Sequence, residues 1–283
     1  NYTYISGQTK SIIEHFKWFS SIIKKKNILK KKDYVLEIGS NDGSLLKFFK
    51  SKCKVLGFDP AKNVANLAKK NYGINTIVKK FNFSNSKILN KKFKLILAFN
   101  VFAHSDSMQS MIKGVKKLLD NNGIFCFEVQ YLGRVYQKKI LGTFFHEHIM
   151  HYTLNSLDYF FRINQMNFYD AIEVNIQKGS IIGFVTHNKN QTPKTKRFLK
   201  LKNFEIQNKI NSPIKLLELG KYIRKNKIKT NQILKKHKNK IFAAYGAARS
   251  GSTYASNFNF ENKISYIFDN HPMKVQKFSC LNN

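Results

Sequence analysis

Apolar residues recur at helical spacing near the start of the chain and in short continuous runs after it. Residues 11 to 29 carry Ile and Phe every three or four positions, which predicts an amphipathic helix. The pattern then changes in D-Y-V-L-E-I-G-S-N-D-G-S-L-L-K-F-F, residues 33 to 49. This stretch predicts a buried strand, a glycine-rich turn and a helix starting near Gly43. A second strand, V-L-G-F-D-P, follows and contains Asp59.

Later apolar runs continue this alternation of strands and helices. K-L-I-L-A-F-N-V-F predicts a fourth strand, M-Q-S-M-I-K-G-V-K-K-L-L a helix, and G-I-F-C-F-E-V a fifth strand. Residues 168 to 187 predict two strands around Lys178-Gly179, an antiparallel hairpin. The lysine-rich residues 193 to 240 have helical periodicity, and a new strand-turn-helix begins at I-F-A-A-Y-G-A-A-R-S-G-S-T-Y. The order of elements predicts an α/β protein.

The first glycine-rich turn has the features of a nucleotide-cofactor site. Gly39 and Gly43 let the backbone approach a ligand closely, and Asp59, 20 residues beyond Gly39, can accept both hydroxyls of a ribose. The turn reads E-I-G-S-N-D-G and not G-x-G-x-x-G. Asp42 disfavours a diphosphate and suits a cofactor with an ammonium and a sulfonium, so S-adenosylmethionine is favoured over NAD. A turn without any ligand is the alternative. We predict these cofactor-binding residues: Glu37, Gly39, Asn41, Asp42, Gly43, Asp59, Pro60 and Asn100.

A second glycine-rich turn lies near the end of the chain. Gly246 and Gly251 bracket it at a predicted helix N-terminus, with Arg249 beside it and no acidic residue. Backbone N–H groups at such a terminus and a nearby guanidinium bind phosphate. This turn therefore predicts a phosphate site, from a weaker signal than the first turn.

Charge points to an anionic ligand without identifying it. The 283 residues include 50 Lys plus Arg against 16 Asp plus Glu, a formal net charge of +34. The lysines are spread from Lys10 to Lys277 and accompany abundant Asn, Ile and Phe, whose codons an AT-rich genome favours. A nucleic-acid surface is normally clustered on one face. We therefore expect no nucleic acid as partner, while a negatively charged small molecule would bind readily.

Cysteine usage and hydropathy indicate a protein of a reducing compartment. Cys53, Cys126 and Cys280 are far apart and form no C-x-x-C pair, so neither a zinc knuckle nor a disulfide framework is indicated. No apolar run reaches the roughly 18 residues that a membrane span needs, and no leader pattern opens the chain. We expect a cytoplasmic monomer without a membrane partner. The first residue, Asn1, indicates that the chain begins inside a longer protein.

Three histidines and a glutamate lie within T-F-F-H-E-H-I-M-H-Y-T-L, residues 143 to 154. A zinc protease needs H-E-x-x-H, and Met150 breaks that motif, so a metal is disfavoured. The alternatives are histidines packed in the core and a catalytic base. The cluster follows the fifth strand, where a methyltransferase of this fold receives its acceptor. A neutral imidazole is suited to removing a proton beside a carbonyl, which favours catalysis.

Taken in order, several segments resemble the sugar C-methyltransferases, which methylate C3 of a nucleotide-linked 4-keto-deoxysugar. They are E-I-G-S-N-D-G-S-L-L, G-F-D-P-A, N-V-F-A-H-S, F-H-E-H-I-M-H-Y-T-L, K-G-S-I-I-G-F and Y-G-A-A-R-S-G-S-T. The resemblance covers nearly the whole chain, and its H-E-H segment is the most specific part. It implies a class I S-adenosylmethionine-dependent methyltransferase sheet over residues 1–190, a helical connection over 191–240, and the start of a second, incomplete Rossmann-like domain over 241–283.

The resemblance also implies roles for individual residues. His148 is the proposed base that removes the C3 proton, with Glu147 beside it, and His104 faces the substrate. His104 or a tyrosine near the amino end, Tyr4 or Tyr2, could supply a donor for the enolate oxygen. The partner is an NDP-linked 4-keto-deoxysugar, with its substrate-binding residues predicted to be Tyr2, Phe145, His146, Gly246, Arg249 and Gly251.

Four departures from the family pattern weaken the prediction of activity. Phe145 stands where the family commonly has tyrosine, and Ser250 replaces a basic residue before the second glycine of the last turn. The family's N-terminal zinc domain is absent from this chain, so no metal is expected within it, and the C-terminal domain stops at Asn283. Two alternatives stay open: a methyltransferase acting on RNA or another small molecule, and an inactive relative that binds S-adenosylmethionine.

Overall fold

The chain folds into two compact units. The computed structural model describes residues 4–145, 147–247 and 250–269. The sheet unit consists of Asn1–Tyr131 and Met150–Asn208, and the C-terminal unit consists of Leu132–Ile149 and Lys209–Asn283. Residues 132–149 thus belong to the C-terminal unit, although the residues before and after them belong to the sheet unit. The domain limits predicted at residues 190 and 240 remain a prediction.

A mixed β-sheet forms the centre of the sheet unit. Within the described residues it has seven strands in the order β3-β2-β1-β4-β5-β7-β6. The first five are parallel, and β7 runs antiparallel to both β5 and β6. The predicted α/β fold with a Rossmann-like methyltransferase sheet is therefore confirmed. The strands are β1 (Tyr34–Ile38), β2 (Lys54–Phe58), β3 (Thr76–Ile77), β4 (Phe93–Phe99), β5 (Leu119–Gln130), β6 (Met166–Val174) and β7 (Ser180–His187).

Helices cover both faces of this sheet. Side chains alternate along β4, so that Leu95 and Leu97 pack in one hydrophobic cluster while Ile96 and Ala98 pack in the other. The first cluster includes apolar residues of α1, such as Phe19, and the second includes residues of α4, α6 and α7. The helices of this unit are α1 (Lys10–Lys25), α2 (Lys62–Tyr72), α3 (Phe83–Ser86), α4 (Met108–Leu118), α6 (Leu154–Ile163) and α7 (Lys196–Gln207).

The helix predicted near Gly43 is wrong. The structure has a short 3₁₀ helix at Leu46–Phe48 instead. Gly43 has φ +78°, which no right-handed helix accommodates. The side chains of Leu45, Leu46 and Phe49 are all buried, so packing against the core sets the backbone path here. The other predicted strands, helices and the hairpin lie where the pattern placed them, within a few residues.

The C-terminal unit has a strand-turn-helix-strand arrangement. Its parallel strands are β8 (Phe242–Tyr245) and β9 (Ile264–Phe268), joined through α9 (Gly251–Phe258). The unit also contains α5 (Leu132–Lys138) and α8 (Pro213–Lys236). No helix in the described ranges is both long and apolar enough to cross a bilayer.

Candidate active site

The glycine turn at the end of β1 is held against the end of β2. Gly39 has φ +68°, and its backbone N–H donates to the carbonyl oxygen of Phe58 at 2.7 Å. A Cβ at Gly39 would lie 2.6 Å from Val101 Cγ2, so both the dihedral and the space require glycine. Asn41 also has positive φ, at +49°. The turn therefore keeps its backbone close to the carboxyl edge of the parallel strands.

Asp59 fixes this turn through its carboxylate. Oδ2 accepts the backbone N–H of Asn41 at 2.9 Å, and Oδ1 accepts that of Ala61 at 2.8 Å. Burial raises the pKa of Asp59, while these two hydrogen bonds lower it. Each carboxylate oxygen retains a second acceptor site, so the pair can also receive ribose hydroxyls. Pro60, which was also predicted to contact the cofactor, is exposed.

Three acids, Glu37, Asp42 and Asp59, surround the turn. Burial raises the pKa of Glu37 well above its usual range, and the charges of Asp42 and Asp59 raise it further. Among the described residues, Glu37 Oε2 is buried without a hydrogen-bond partner. A cationic ligand lowers the cost of this acidic cluster, whereas a diphosphate increases it. The residues therefore fit the sulfonium and ammonium of S-adenosylmethionine.

The amino-terminal segment lies over the same turn. Asn41 Oδ1 accepts the backbone N–H of Ser6 at 3.0 Å, and its Nδ2 donates to the carbonyl oxygen of Tyr4 at 3.0 Å. Asp42 Oδ2 accepts the backbone N–H of Gly7 at 3.1 Å. The backbone carbonyl of Tyr4 thus lies at the turn, while the role of Tyr4 as a donor to the substrate stays a prediction. Tyr2 lies outside the described residues. Ser6 and Gly7 were missed because backbone donors leave no signal in a sequence.

Asn100, at the end of β4, belongs to a buried polar group that sequence reasoning missed. Its Nδ2 donates to Glu128 Oε1 at 2.8 Å, and the second oxygen of Glu128 accepts from His15 Nε2. Glu128 is fully buried on β5, and Trp18 stacks on the His15 ring. In the sequence, Glu128 could have been recognised as a candidate because it is an acid inside the apolar run F-C-F-E-V. Its pairing with His15 on α1 depends on tertiary packing.

His148 contacts Thr143 in the C-terminal unit. Its Nδ1 lies 3.0 Å from the Thr143 carbonyl oxygen and 3.4 Å from the Thr143 hydroxyl, and the carbonyl contact, the shorter of the two, favours a proton on Nδ1. Nε2 is then the basic nitrogen of the neutral ring. The Phe145 ring packs on the imidazole with 4.2 Å between ring centroids. Glu147 lies in the same turn.

The predicted site residues fall into two groups. Phe145, Glu147 and His148 lie in the C-terminal unit, whereas the cofactor residues, Tyr4 and the exposed His104 lie in the sheet unit. His146 lies outside the described residues.

His151, the third histidine of the cluster, has its pKa lowered by burial. Within the described ranges, no group of three His, Cys, Asp or Glu side chains is arranged to hold a metal ion.

The second glycine turn follows β8. Gly246 has φ +94°, a value that favours glycine, and Gly251 opens α9. Arg249 lies outside the described residues. The first turn of α9 has no acidic residue, in contrast to the turn that contains Asp42.

Comparison with known proteins finds similarity to methyltransferases. A methyltransferase domain model matches residues 36–125, and a model of the C-methyltransferase C-terminal domain matches residues 175–282. The C-methyltransferase NovU of Streptomyces niveus is 30% identical over 188 residues. The chain is therefore similar to C-methyltransferases in its C-terminal matched segment and to methyltransferases in its first one. The match covers 65% of this chain and 44% of NovU, so it spans less than half of that relative.

Solved methyltransferase structures are also similar to part of this chain. An S-adenosylmethionine-dependent methyltransferase from Clostridium acetobutylicum is 18% identical, with 60% of this chain and 91% of that one covered and a TM-score of 0.48. Magnesium protoporphyrin IX methyltransferase of Synechocystis, solved with bound SAH, is 15% identical, with 62% and 83% covered and a TM-score of 0.49. Both scores are below 0.5, so the assignment of the fold rests on the strand order of the sheet.

Proposed function

We propose that this chain is an S-adenosylmethionine-dependent C-methyltransferase acting on C3 of an NDP-linked 4-keto-deoxysugar. The observation that carries the proposal is the glycine turn surrounded by Glu37, Asp42 and Asp59, because this acidic site favours a cationic nucleoside cofactor. Similarity to NovU and to the C-methyltransferase C-terminal domain supports methylation at carbon. The resemblance to the sugar enzymes supports the substrate.

The sheet unit binds the cofactor in this proposal. Asp59 accepts the ribose hydroxyls, Asp42 faces the ammonium group, and Gly39 and Gly43 allow close backbone approach. Asn100 contacts the cofactor from the end of β4. When bound, S-adenosylmethionine supplies a methyl group already activated on a sulfonium, so alignment of the acceptor carbon is the main task of the protein.

His148 is the proposed general base. Its protonated Nδ1, held by the Thr143 carbonyl oxygen, supports Nε2 as the atom that takes the C3 proton. The neighbouring 4-keto oxygen then holds the enolate charge, and His104 or Tyr4 donates to it. Phe145, His146, Gly246, Arg249 and Gly251 complete the proposed substrate contacts, together with Tyr2.

Proton removal can be measured apart from methyl transfer. The chain is incubated in D₂O with SAH and dTDP-, GDP- or CDP-linked 4-keto-deoxysugars, and deuterium at C3 is followed by NMR. Methyl transfer is measured separately with labelled S-adenosylmethionine. We expect His148→Ala to lose about 10²- to 10⁴-fold in both rates, the usual contribution of a general base.

His151→Ala is the matched control, since it removes a neighbouring imidazole that has no proposed role. Equal loss in both variants, or full activity of His148→Ala, would show that His148 is not the base. SAH binding without methylation of any sugar would reject the substrate and favour an RNA methyltransferase or an inactive relative.

A further inference from the structure

Glu128, on β5, holds Asn100 through two hydrogen bonds. The backbone N–H of Asn100 donates to the carbonyl oxygen of Glu128 at 2.9 Å, and the side-chain Nδ2 of Asn100 donates to Glu128 Oε1 at 2.8 Å. Asn100 has φ +57°, in the left-handed region that asparagine adopts more readily than most residues. One residue of β5 therefore fixes both the backbone and the amide of Asn100.

The second carboxylate oxygen of Glu128 is bound by a ring from α1. Glu128 Oε2 accepts from His15 Nε2, and the two side chains are 1% and 9% exposed. Trp18 stacks on the imidazole with 5.6 Å between ring centroids, and the centroid of Phe99 lies 6.3 Å from it. A buried carboxylate needs such partners, because burial without them disfavours its charged form. His15 therefore keeps Glu128 in the position that binds Asn100.

These hydrogen bonds decide which way the Asn100 amide faces. An ionised carboxylate can only accept, so the amide nitrogen of Asn100 must face Glu128. Because the amide is planar, its oxygen Oδ1 is then directed away from the carboxylate. The pair of His15 and Glu128 thus presents Asn100 as an acceptor.

Asn100 lies beside the cofactor turn. The next residue, Val101, packs on this turn, since a Cβ at Gly39 would lie 2.6 Å from Val101 Cγ2. In the sheet, β1 lies between β2 and β4, so Asp59 and Asn100 flank the turn on opposite sides. A cofactor whose ribose binds Asp59 and which crosses the turn brings its amino-acid part to Asn100. The ammonium of that part has three N–H donors, enough for Asp42 and Asn100 together.

We propose that His15 and Glu128 are positioning residues for the cofactor, which orient the Asn100 amide so that Oδ1 accepts from the ammonium of S-adenosylmethionine. The inference rests on the proposed function, which assigns Asn100 to the cofactor without saying what orients it. Loss of the His15 donor lets Glu128 turn away from Asn100. We expect the affinity for a ligand with this ammonium to fall about tenfold, the usual effect of one hydrogen bond to a charged group.

Isothermal titration of the full chain with two ligands tests this role. SAH contains the amino-acid part, whereas methylthioadenosine has the same nucleoside and a thioether without it. His15→Phe keeps a ring against Trp18 and removes the donor, and His15→Gln restores a donor. His187→Leu is the matched control, because the His187 ring lies 3.4 Å from the carbonyl oxygen of Leu119, at the opposite end of β5.

A double-mutant cycle shows whether His15 acts through Asn100. Asn100→Ala removes the acceptor itself, and we expect it to weaken SAH binding about tenfold. Adding His15→Phe to Asn100→Ala should cause no further loss, because both changes remove the same contact.

We expect His15→Phe to bind SAH about tenfold more weakly and methylthioadenosine as the wild type does, with His15→Gln and His187→Leu close to the wild type for both ligands. Unchanged SAH binding, an equal loss for both ligands, no recovery with glutamine, or additive losses in the double variant would each overturn the role of His15. In all these cases SAH binding by the wild type leaves the proposed cofactor standing. If the wild type binds no SAH, the proposed cofactor fails together with the inference.

Discussion

Glu37 shows how a single buried residue links stability to the cofactor site. It lies on β1 directly before the glycine turn and is 3% exposed. Because desolvation and two neighbouring acids raise its pKa, the folded protein binds the proton more tightly than the unfolded chain does. The stabilisation by this proton is present below the ordinary pKa, near 4.5, and is lost as the pH rises through the folded value.

Glu37→Gln should therefore remove a pH-dependent loss of stability. We expect the free energy of unfolding of the variant, relative to the wild type, to increase as the pH rises from about 4.5 to 8. Urea unfolding is followed by the fluorescence of Trp18, the single tryptophan, which lies in the sheet unit. Glu14→Gln, the same change at an exposed position of α1, is the control. A difference that stays constant with pH would contradict the raised pKa.

At the scale of elements, the N-terminus of α6 is fixed by a buried carboxylate from α7. Glu205, 1% exposed, accepts the backbone N–H of Leu154 at 2.5 Å and that of Asn155 at 3.0 Å. Thr153 and Ser156 add a reciprocal capping box. The carboxylate thus satisfies two donors at the positive end of the helix dipole and joins the two helices.

Glu205→Ala should destabilise the sheet unit by about 1–3 kcal/mol, because it leaves these backbone donors without their buried acceptor. Urea unfolding with Trp18 fluorescence measures the change. Glu205→Gln, which keeps one acceptor oxygen, is expected to lose less. If both variants were as stable as the wild type, the hydrogen bonds of Glu205 to the N-terminus of α6 would not contribute to stability.

At the scale of the whole molecule, positive charge is in large excess. The formal charge is +34, and ion pairs such as Lys80–Asp106 and Lys194–Asp158 engage only part of the 50 basic residues. Such a charge destabilises a compact state through self-repulsion. Salt screens this repulsion, since the Debye length falls from about 30 Å at 0.01 M to about 10 Å at 0.1 M.

Raising NaCl over that range should therefore increase the midpoint of thermal unfolding. Sodium acetate at equal ionic strength serves as the control, because screening does not depend on which monovalent anion is present. A midpoint that falls with salt would mean that attractive pairs outweigh repulsion. Retention of RNA that disappears over the same salt range would instead support the RNA methyltransferase alternative.

The sequence by itself determined the features that depend on neighbouring residues in the chain. Short apolar runs and the spacing of helical positions gave the order of strands and helices, because side-chain periodicity follows local backbone geometry. Gly39, Gly43 and Asp59 were found because a tight turn and an acid at a fixed interval leave a readable pattern. The resemblance carried by the H-E-H segment indicated the C-methyltransferases, and the comparisons confirmed the similarity to them.

The tertiary structure decided which distant groups share a hydrogen bond. Backbone donors of Ser6 and Gly7 reach Asn41 and Asp42, and His15 reaches Glu128 across 113 positions of sequence. Core packing likewise replaced the predicted α-helix after Gly43 with a short 3₁₀ helix. Such contacts form where elements pack together, and local periodicity contains no information about which side chain or backbone group will lie opposite.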